Sequence, residues 1–261
     1  MRFDNAYSTC HVCSPSRASI LTGKYPARTD LTEWLGGRPD RAYEKLHSAK
    51  KLMSLPAEEI TLAEALRKGG YRTLHVGKWH LGDNYPYRPQ DRGFQETIHH
   101  PGFGITSAPD YYGNDYFDDW YRHKDEIEQY RGYCTDVWFQ EAIKWMQECH
   151  AKQEPFFAYI ALNAPHGPLW VPNQYREPYT GGIQRDEASF FGMIANIDEN
   201  MAKLESFLHQ NEILDNTILI FMTDNGSAAG CELDRDQYVS DGFNAGMRLS
   251  LIHISEPTRP R

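Results

Sequence analysis

The sequence CSPSRASILTG, at residues 13–23, gives the strongest local indication of structure in this chain. Proline disrupts the interior of a helix but suits its first turn, so Pro15 predicts that a short helix begins close to Cys13. Gly23 can end this helix after Thr22. Cys13 is therefore expected at a helix N-terminus, where exposed backbone N–H groups favour an anionic group. From these residues alone, Cys13 is either an activated thiolate or an inert apolar side chain.

Outward from this stretch, the chain alternates between helical and strand patterns. The predicted helices are residues 61–69, 135–150 and 186–210, and the predicted strands are residues 71–76, 156–162 and 217–223. Thr61 and Glu64 form a capping box at the start of the first of these helices. Because each helix precedes a short apolar run that ends in a polar loop, the pattern predicts an α/β fold with a parallel sheet.

Polar residues follow each predicted strand. Lys78 and His80 follow the first strand, His166 follows the second, and Asp224 and Asn225 follow the third. In open parallel sheets, ligands bind beyond the carboxyl ends of the strands, so these loops are expected to face one crevice. Taken singly, a histidine in a loop can be a solvated or capping residue, and Asp-Asn-Gly can be a simple turn.

Composition limits the possible functions. The 261 residues carry a formal charge of -9, and 40% of them are hydrophobic, with no apolar run long enough for a membrane span. These values argue against a nucleic-acid-binding surface and against a membrane protein. Because the chain is acidic, any anionic ligand must be bound by a local cluster of cationic residues. The candidates for that cluster are Arg17, Lys78, His80 and His166.

Two other patterns leave alternatives open. Cys10 and Cys13 form one Cys-x-x-Cys pair among five cysteines, but no second pair with zinc-ligand spacing follows. Residues 99–134 are rich in aromatic and acidic side chains and show no periodicity, so they are predicted to be irregular. Such a segment either lines a carbohydrate cleft or packs on its own aromatic rings.

Five motifs together resemble the type I, formylglycine-dependent sulfatases of the alkaline phosphatase superfamily. They are CSPSR at 13–17, GKWH at 77–80, APH at 164–166, TDNG at 223–226 and NAGMR at 244–248. The resemblance implies an alkaline-phosphatase-like three-layer αβα sandwich around a mostly parallel sheet. It also implies Ca²⁺, a formylglycine made from Cys13, and hydrolysis of an aryl sulfate or of a sulfated carbohydrate.

The resemblance also implies a role for each candidate residue. Arg17 would steady the hydrated aldehyde formed at Cys13, and His80 would assist it. Lys78 and His166 would bind the sulfate and interact with the leaving oxygen. The metal ligands would be Asp224, Asn225 and the modified Cys13. The partner would be a formylglycine-generating enzyme or an anaerobic sulfatase-maturating enzyme.

The chain departs from the family at both ends, so the catalytic domain at residues 1–248 is expected to be truncated. The family's first strand ends in paired acidic residues, whereas Asp4 is isolated here, and calcium takes about 6–8 oxygen ligands. Residues 249–261 resemble nothing in the family and are interpreted as a non-native tail. No signal peptide is visible, although the family implies a periplasmic, extracellular or lysosomal protein.

Two other functions remain open. One is hydrolysis of phosphodiesters or phosphonate monoesters, which belongs to the same superfamily. The other is a catalytically inactive fragment that folds in part and at most binds sugar.

Overall fold

The computed structural model describes residues 1–3, 6–37, 42–43, 45, 52–102, 104–105, 115–181, 185–226, 231–233 and 239–242. The chain forms two compact units, one of Met1–Met53 with Phe221–Arg261 and one of Ser54–Ile220. Asp4, the motif at 244–248, the predicted boundary at 248 and the tail at 249–261 lie outside the described residues.

The larger unit contains a five-stranded sheet in the order β4-β3-β2-β1-β5. Its strands are β1 Arg72–Lys78, β2 Glu96–His100, β3 Trp120–His123, β4 Glu126–Gln129 and β5 Phe156–Ala161. Strand β1 pairs in parallel with β2 and with β5, whereas β3 and β4 form an antiparallel hairpin at one edge. The strands predicted at 71–76 and 156–162 are confirmed as β1 and β5, with small shifts at their ends.

The helices agree closely with the periodicity of the sequence. They are α1 Cys13–Thr22, α2 Pro26–Thr29, α3 Leu62–Lys68, α4 Cys134–Ala151, α5 Asn173–Arg176 and α6 Arg185–Gln210, with 3-10 helices at Pro89–Arg92, Glu177–Tyr179 and Leu214–Asn216. At the start of α3, the Thr61 hydroxyl accepts a hydrogen bond from the Glu64 N–H and the Glu64 carboxylate accepts one from the Thr61 N–H, so the predicted capping box is confirmed. Among the described helices, none is both long and apolar enough to cross a bilayer.

Helices pack on both faces of the sheet. On one face, Leu74 and Val76 of β1 and Ile98 of β2 join Trp138 and Ala142 of α4 in the buried core, and α6 packs against α4. Side chains alternate across a strand, so Thr73 lies on the opposite face.

On that opposite face, the Thr73 hydroxyl donates a 2.7 Å hydrogen bond to the carbonyl of Gly93, which lies against α3. Helix α3 also packs against β1. The α/β fold class predicted from the sequence is therefore confirmed.

Gly77 lets β1 and β5 approach closely. It has a φ of 98°, and a Cβ at this position would overlap the carbonyl group of Ala161, its partner in β5. Gly70 has a similar φ of 88°, but a Cβ there would meet nothing within 4 Å. The two glycines therefore separate the cost of backbone strain from the cost of steric overlap.

We expect the variant Gly77→Ala to lose at least about 3 kcal/mol of unfolding free energy, because alanine adds overlap with the neighbouring strand to the strain of a positive φ. The matched variant Gly70→Ala should lose only about 1 kcal/mol, from strain alone. Urea denaturation of both variants measures the difference. Equal losses would show that the contact between β1 and β5 at Gly77 is not as close as described.

Buried histidines lie on the α3 side of the sheet. His99 of β2 is 3% exposed, and its ring lies 6.1 Å from that of His75 of β1. Burial lowers the pKa of His99 well below its ordinary value, and electrostatic interactions with His75 and Arg122 lower it further. His99 is therefore neutral in the folded protein at neutral pH.

This burial predicts loss of stability in mild acid. Below about pH 6.5 the unfolded chain protonates His99 while the folded chain does not, so unfolding free energy falls as the pH drops. The loss approaches about 1.4 kcal/mol per pH unit until the folded-state pKa is reached. Urea denaturation at about pH 7.5 and about pH 5.5 should show a smaller difference for His99→Gln than for the unmodified protein. The control His209→Gln, at an exposed position on α6, should leave the difference unchanged.

The smaller unit is organised around α1. Cys13 is its first residue, as predicted, and Gly23 ends it with a φ of 67° and a 2.8 Å hydrogen bond from its N–H to the Ser19 carbonyl. The Ser14 hydroxyl accepts a 3.0 Å hydrogen bond from the N–H of Leu35. This unit also contains the antiparallel pair β6 Cys231–Leu233 and β7 Val239–Gly242.

Two predictions about secondary structure are wrong. The apolar run at 217–223 forms no strand, and its side chains from Ile218 to Met222 are exposed, because no described strand pairs with it. The segment at 99–134, predicted to be irregular, contributes the end of β2, all of β3 and β4, and the start of α4. The hairpin was missed because β4, with the sequence EIEQ, is exposed along its whole length and has no apolar face.

Candidate functional site

The carboxyl ends of β1 and β5 bring two of the predicted site residues together. Lys78 is the last residue of β1, and His166 lies in the loop after β5. The two strands are parallel neighbours, so both residues leave the same edge of the sheet, and both line one small cavity. The side chain of Lys78 is only 4% exposed. A cation held at this edge, beside a histidine, suits an anionic ligand.

Gly104 and Asn163 form another part of the cavity wall. Gly104 has a φ of 109°, and a Cβ there would lie 3.4 Å from Cδ of Lys78 and 3.1 Å from Nδ2 of Asn163. Glycine therefore lets this loop lie against the lysine stem. Oδ1 of Asn163 is buried and has no hydrogen-bond partner among the described residues. A buried acceptor without a partner is costly, which makes Asn163 a candidate for contact with a ligand.

The imidazole of His166 is held in a defined tautomer. Its Nδ1 lies 2.7 Å from the carbonyl oxygen of Gly167, which can only accept, so Nδ1 carries the hydrogen and Nε2 is the position that exchanges a proton. The Tyr116 hydroxyl donates a 2.8 Å hydrogen bond to the carbonyl of His166. Burial raises the pKa of Tyr116 well above its ordinary value, so this donor stays protonated.

His80 lies two residues beyond β1 in a sharp turn. Its φ is 59°, in the left-handed region, and its side chain is buried. The residues that line the cavity of Lys78 and His166 do not include His80. The structure therefore places His80 near the end of the same strand but not in that cavity.

In the smaller unit, α1 carries the cysteine and the arginine of the first motif. Cys13 and Arg17 are four residues apart, so they lie on the same face of this helix. Nε of Arg17 donates a 2.9 Å hydrogen bond to Oδ2 of Asp224, and the arginine side chain is 7% exposed. The ion pair fixes Asp224 relative to the start of α1.

Asp224 and Asn225 fit calcium in type but not in number. Carboxylate and amide oxygens are ligands that calcium prefers, and Oδ1 of Asn225 is buried without a hydrogen-bond partner in the described part of the chain. Calcium takes about 6–8 oxygen ligands, however, and these two residues supply only a few. Within the residues that the structure describes, no group of three acidic, histidine or cysteine side chains could hold a metal ion.

The predicted site residues thus form two groups. The larger unit holds Lys78, His80 and His166, and the smaller unit holds Cys13 with the pair of Arg17 and Asp224. The first group can bind an oxyanion and exchange a proton at the histidine. The second presents a cysteine at a helix start beside a buried ion pair.

The sequence interpretation missed Asn163, Gly104 and Tyr116. Asn163 comes directly before the APH motif, so its position in the strand-end loop was a usable signal. Gly104 and Tyr116 lie in or next to the stretch that showed no periodicity, and they are recognisable only from their contacts with Lys78 and His166.

Comparisons with known proteins give a consistent result. A family model described as Sulfatase matches residues 1–257. N-acetylgalactosamine-6-sulfatase from Mus musculus is 32% identical over 239 residues, which are 87% of this chain and 44% of that protein. The chain thus spans less than half the length of this curated relative.

Two solved structures are also similar to this chain. The crystal structure of Ps i-CgsB in complex with k-i-k-neocarrahexaose matches with a TM-score of 0.71 at 26% identity, over 84% of this chain and 49% of that chain. The phosphonate monoester hydrolase of Agrobacterium radiobacter matches with a TM-score of 0.53 at 18% identity, over 92% of this chain and 57% of that chain. The second match shows a likeness in fold alone.

Proposed function

This chain belongs to the sulfatase family, and from that premise we propose that the protein hydrolyses sulfate esters of carbohydrates. The observation that carries the proposal is that Lys78 and His166, at the ends of adjacent parallel strands, line one cavity. In the cleavage of a sulfate ester, a cation can stabilise charge on the transferring group, and a proton-exchanging group can protonate the leaving oxygen. The carbohydrate class is supported by the name of the mouse relative, an N-acetylgalactosamine-6-sulfatase.

The nucleophile in this proposal is a formylglycine made from Cys13 by a formylglycine-generating or anaerobic sulfatase-maturating enzyme. The position of Cys13 fits this group, because backbone N–H groups at the start of α1 and Arg17 on the same helix face favour negative charge. When formed, the hydrated aldehyde would supply two hydroxyl groups, one to attack sulfur and one to allow release of sulfate.

The other candidate residues would perform three tasks. Lys78 would neutralise charge on the transferring sulfuryl group, with Asn163 beside it as a further polar contact. His166, protonated at Nε2, would donate a proton to the leaving oxygen, a contribution typically worth about 10²–10⁴ in rate. Arg17, held by Asp224, would steady the modified side chain, and His80 would assist it from the turn after β1.

Calcium is included in this proposal only because the resemblance to the sulfatase family implies it. Asp224 and Asn225 offer suitable oxygen atoms but are too few to hold the ion by themselves. The roles of Lys78 and His166 do not depend on it. A periplasmic, extracellular or lysosomal location likewise follows from the family resemblance alone.

The test compares three ester classes after co-production with a maturation enzyme. We expect kcat/KM to be higher for 4-nitrophenyl sulfate and N-acetylgalactosamine 6-sulfate than for bis(4-nitrophenyl) phosphate or a phenylphosphonate monoester. Faster turnover of either phosphorus ester would instead support the alternative function, hydrolysis of phosphodiesters or phosphonate monoesters. The phosphonate monoester hydrolase of Agrobacterium radiobacter has a fold similar to that of this chain. No turnover of any ester, with residue 13 still a cysteine, would support the inactive fragment.

A further inference from the structure

A second, larger cavity lies beside the one that contains Lys78 and His166. It has a volume of ≈ 570 Å³, within the range of about 300–1,000 Å³ that small-molecule sites occupy. Two chain segments run from the first cavity into the second. Tyr116 and Gly167 line the first, and the residues that follow them, Phe117 and Pro168, line the second. A molecule that fills both would therefore extend continuously from His166.

Part of the lining of the larger cavity is aromatic. Trp170 and Phe117 line it and are 43% and 38% exposed, respectively, which is high for such large apolar side chains. The Tyr133 hydroxyl donates a 2.9 Å hydrogen bond to the carbonyl of Trp170, and the Tyr133 ring lies 5.2 Å from that of Phe117. Because Tyr133 is buried, the ring of Phe117 and the backbone of Trp170 are both in contact with the core.

Four other lining residues are polar, namely Asn173 and Arg176 of α5 and Asp186 and Ser189 of α6. Arg176 makes no hydrogen bond or ion pair with any side chain that the structure describes, so its guanidinium can still bind a ligand. One cation and one carboxylate leave these four residues without net charge, which suits a polyhydroxylated ligand better than a polyanion.

We propose that this cavity binds the saccharide unit linked to the sulfated unit, with one sugar face on Trp170 and its hydroxyl groups bonded to Arg176, Asp186 and Asn173. A lining that combines exposed aromatic rings with polar side chains matches a sugar ring, which has apolar C–H faces and a polar rim. This inference rests on the proposed function. It makes the preferred substrate an oligosaccharide rather than a single sulfated sugar or an aryl sulfate.

The test measures binding of a chemically desulfated neocarrahexaose, an uncharged hexasaccharide, which needs no sulfatase activity. We expect Trp170→Ala to weaken binding at least about tenfold, as is typical when a central aromatic contact is removed. The control Tyr71→Ala removes a similarly exposed aromatic at the opposite end of β1 and should leave affinity unchanged. Turnover of 4-nitrophenyl sulfate should be the same in Trp170→Ala as in the unmodified protein.

The outcomes separate this inference from the proposed function. Failure of the unmodified protein to bind the hexasaccharide, or equal binding by Trp170→Ala, would overturn the saccharide site even if aryl sulfate is hydrolysed. Binding that depends on Trp170, in a protein that hydrolyses no sulfate ester, would uphold the saccharide site and overturn the proposed function.

Discussion

Replacement of Cys13 by alanine is expected to lower kcat/KM for 4-nitrophenyl sulfate at least about 10³-fold, because it removes the precursor of the proposed nucleophile. The protein without substitutions, co-produced with a maturation enzyme, should lose about 18 Da at residue 13 when the thiol becomes an aldehyde. Peptide mass spectrometry and sulfate release measure the two effects. Both should disappear together in Cys13→Ala.

Cys10→Ala provides the matched control, because Cys10 lies three residues away, outside the CSPSR motif and before α1. It should keep both the mass change and the turnover. Full turnover by Cys13→Ala would show that the protein uses another nucleophile. Loss of activity in Cys10→Ala without loss of the mass change would point to a role for the Cys-x-x-Cys pair.

Replacement of Lys78 by methionine is expected to lower kcat/KM about 10²–10³-fold, since it removes the charge that we propose to stabilise the transferring group. Methionine keeps much of the side-chain volume against Gly104, so the fold should be retained. Sulfate-release kinetics measure the activity, and thermal unfolding monitors the fold. The control Lys68→Met removes an exposed lysine at the end of α3 and should leave kcat/KM unchanged.

Because kcat/KM compares the transition state with free enzyme and substrate, this loss reports stabilisation by Lys78 directly. A loss of less than about threefold, with unfolding unchanged, would contradict the role of Lys78 in charge stabilisation. A similar loss in Lys68→Met would show that net charge, rather than the position of Lys78, determines the rate.

Local sequence signals predicted much of the fold. The capping box at Thr61 and the apolar periodicity of residues 186–210 act within one helix, and α3 and α6 were placed within one residue of their ends. Strands β1 and β5 were recognisable because they are short apolar runs beside turn signals. Their parallel pairing then followed from the helices between them.

Features that depend on distant partners could not be predicted in this way. The run at 217–223 has the composition of a buried strand, yet a strand exists only where another strand supplies hydrogen bonds, and no described strand does. The hairpin of β3 and β4 shows the converse. The exposed residues of β4 form a strand only because β4 pairs with β3, which in turn pairs with β2.

In the candidate site, too, some residues could be predicted from local sequence and others could not. Lys78 and His166 could be proposed because they follow recognisable strands. Asn163 gains its importance from a buried oxygen that has no partner in the described structure, and Gly104 from its contact with the lysine stem. These are three-dimensional properties that no pattern along the chain encodes.

We propose that Lys78, His166 and the modified residue 13 act on one sulfate group. The most direct measurement is a crystal structure of the matured protein with bound sulfate. We predict one sulfate within hydrogen-bond distance of Nζ of Lys78 and of the side chain of residue 13, with His166 beside it. A sulfate held by Lys78 while residue 13 lies on a remote face would contradict the account.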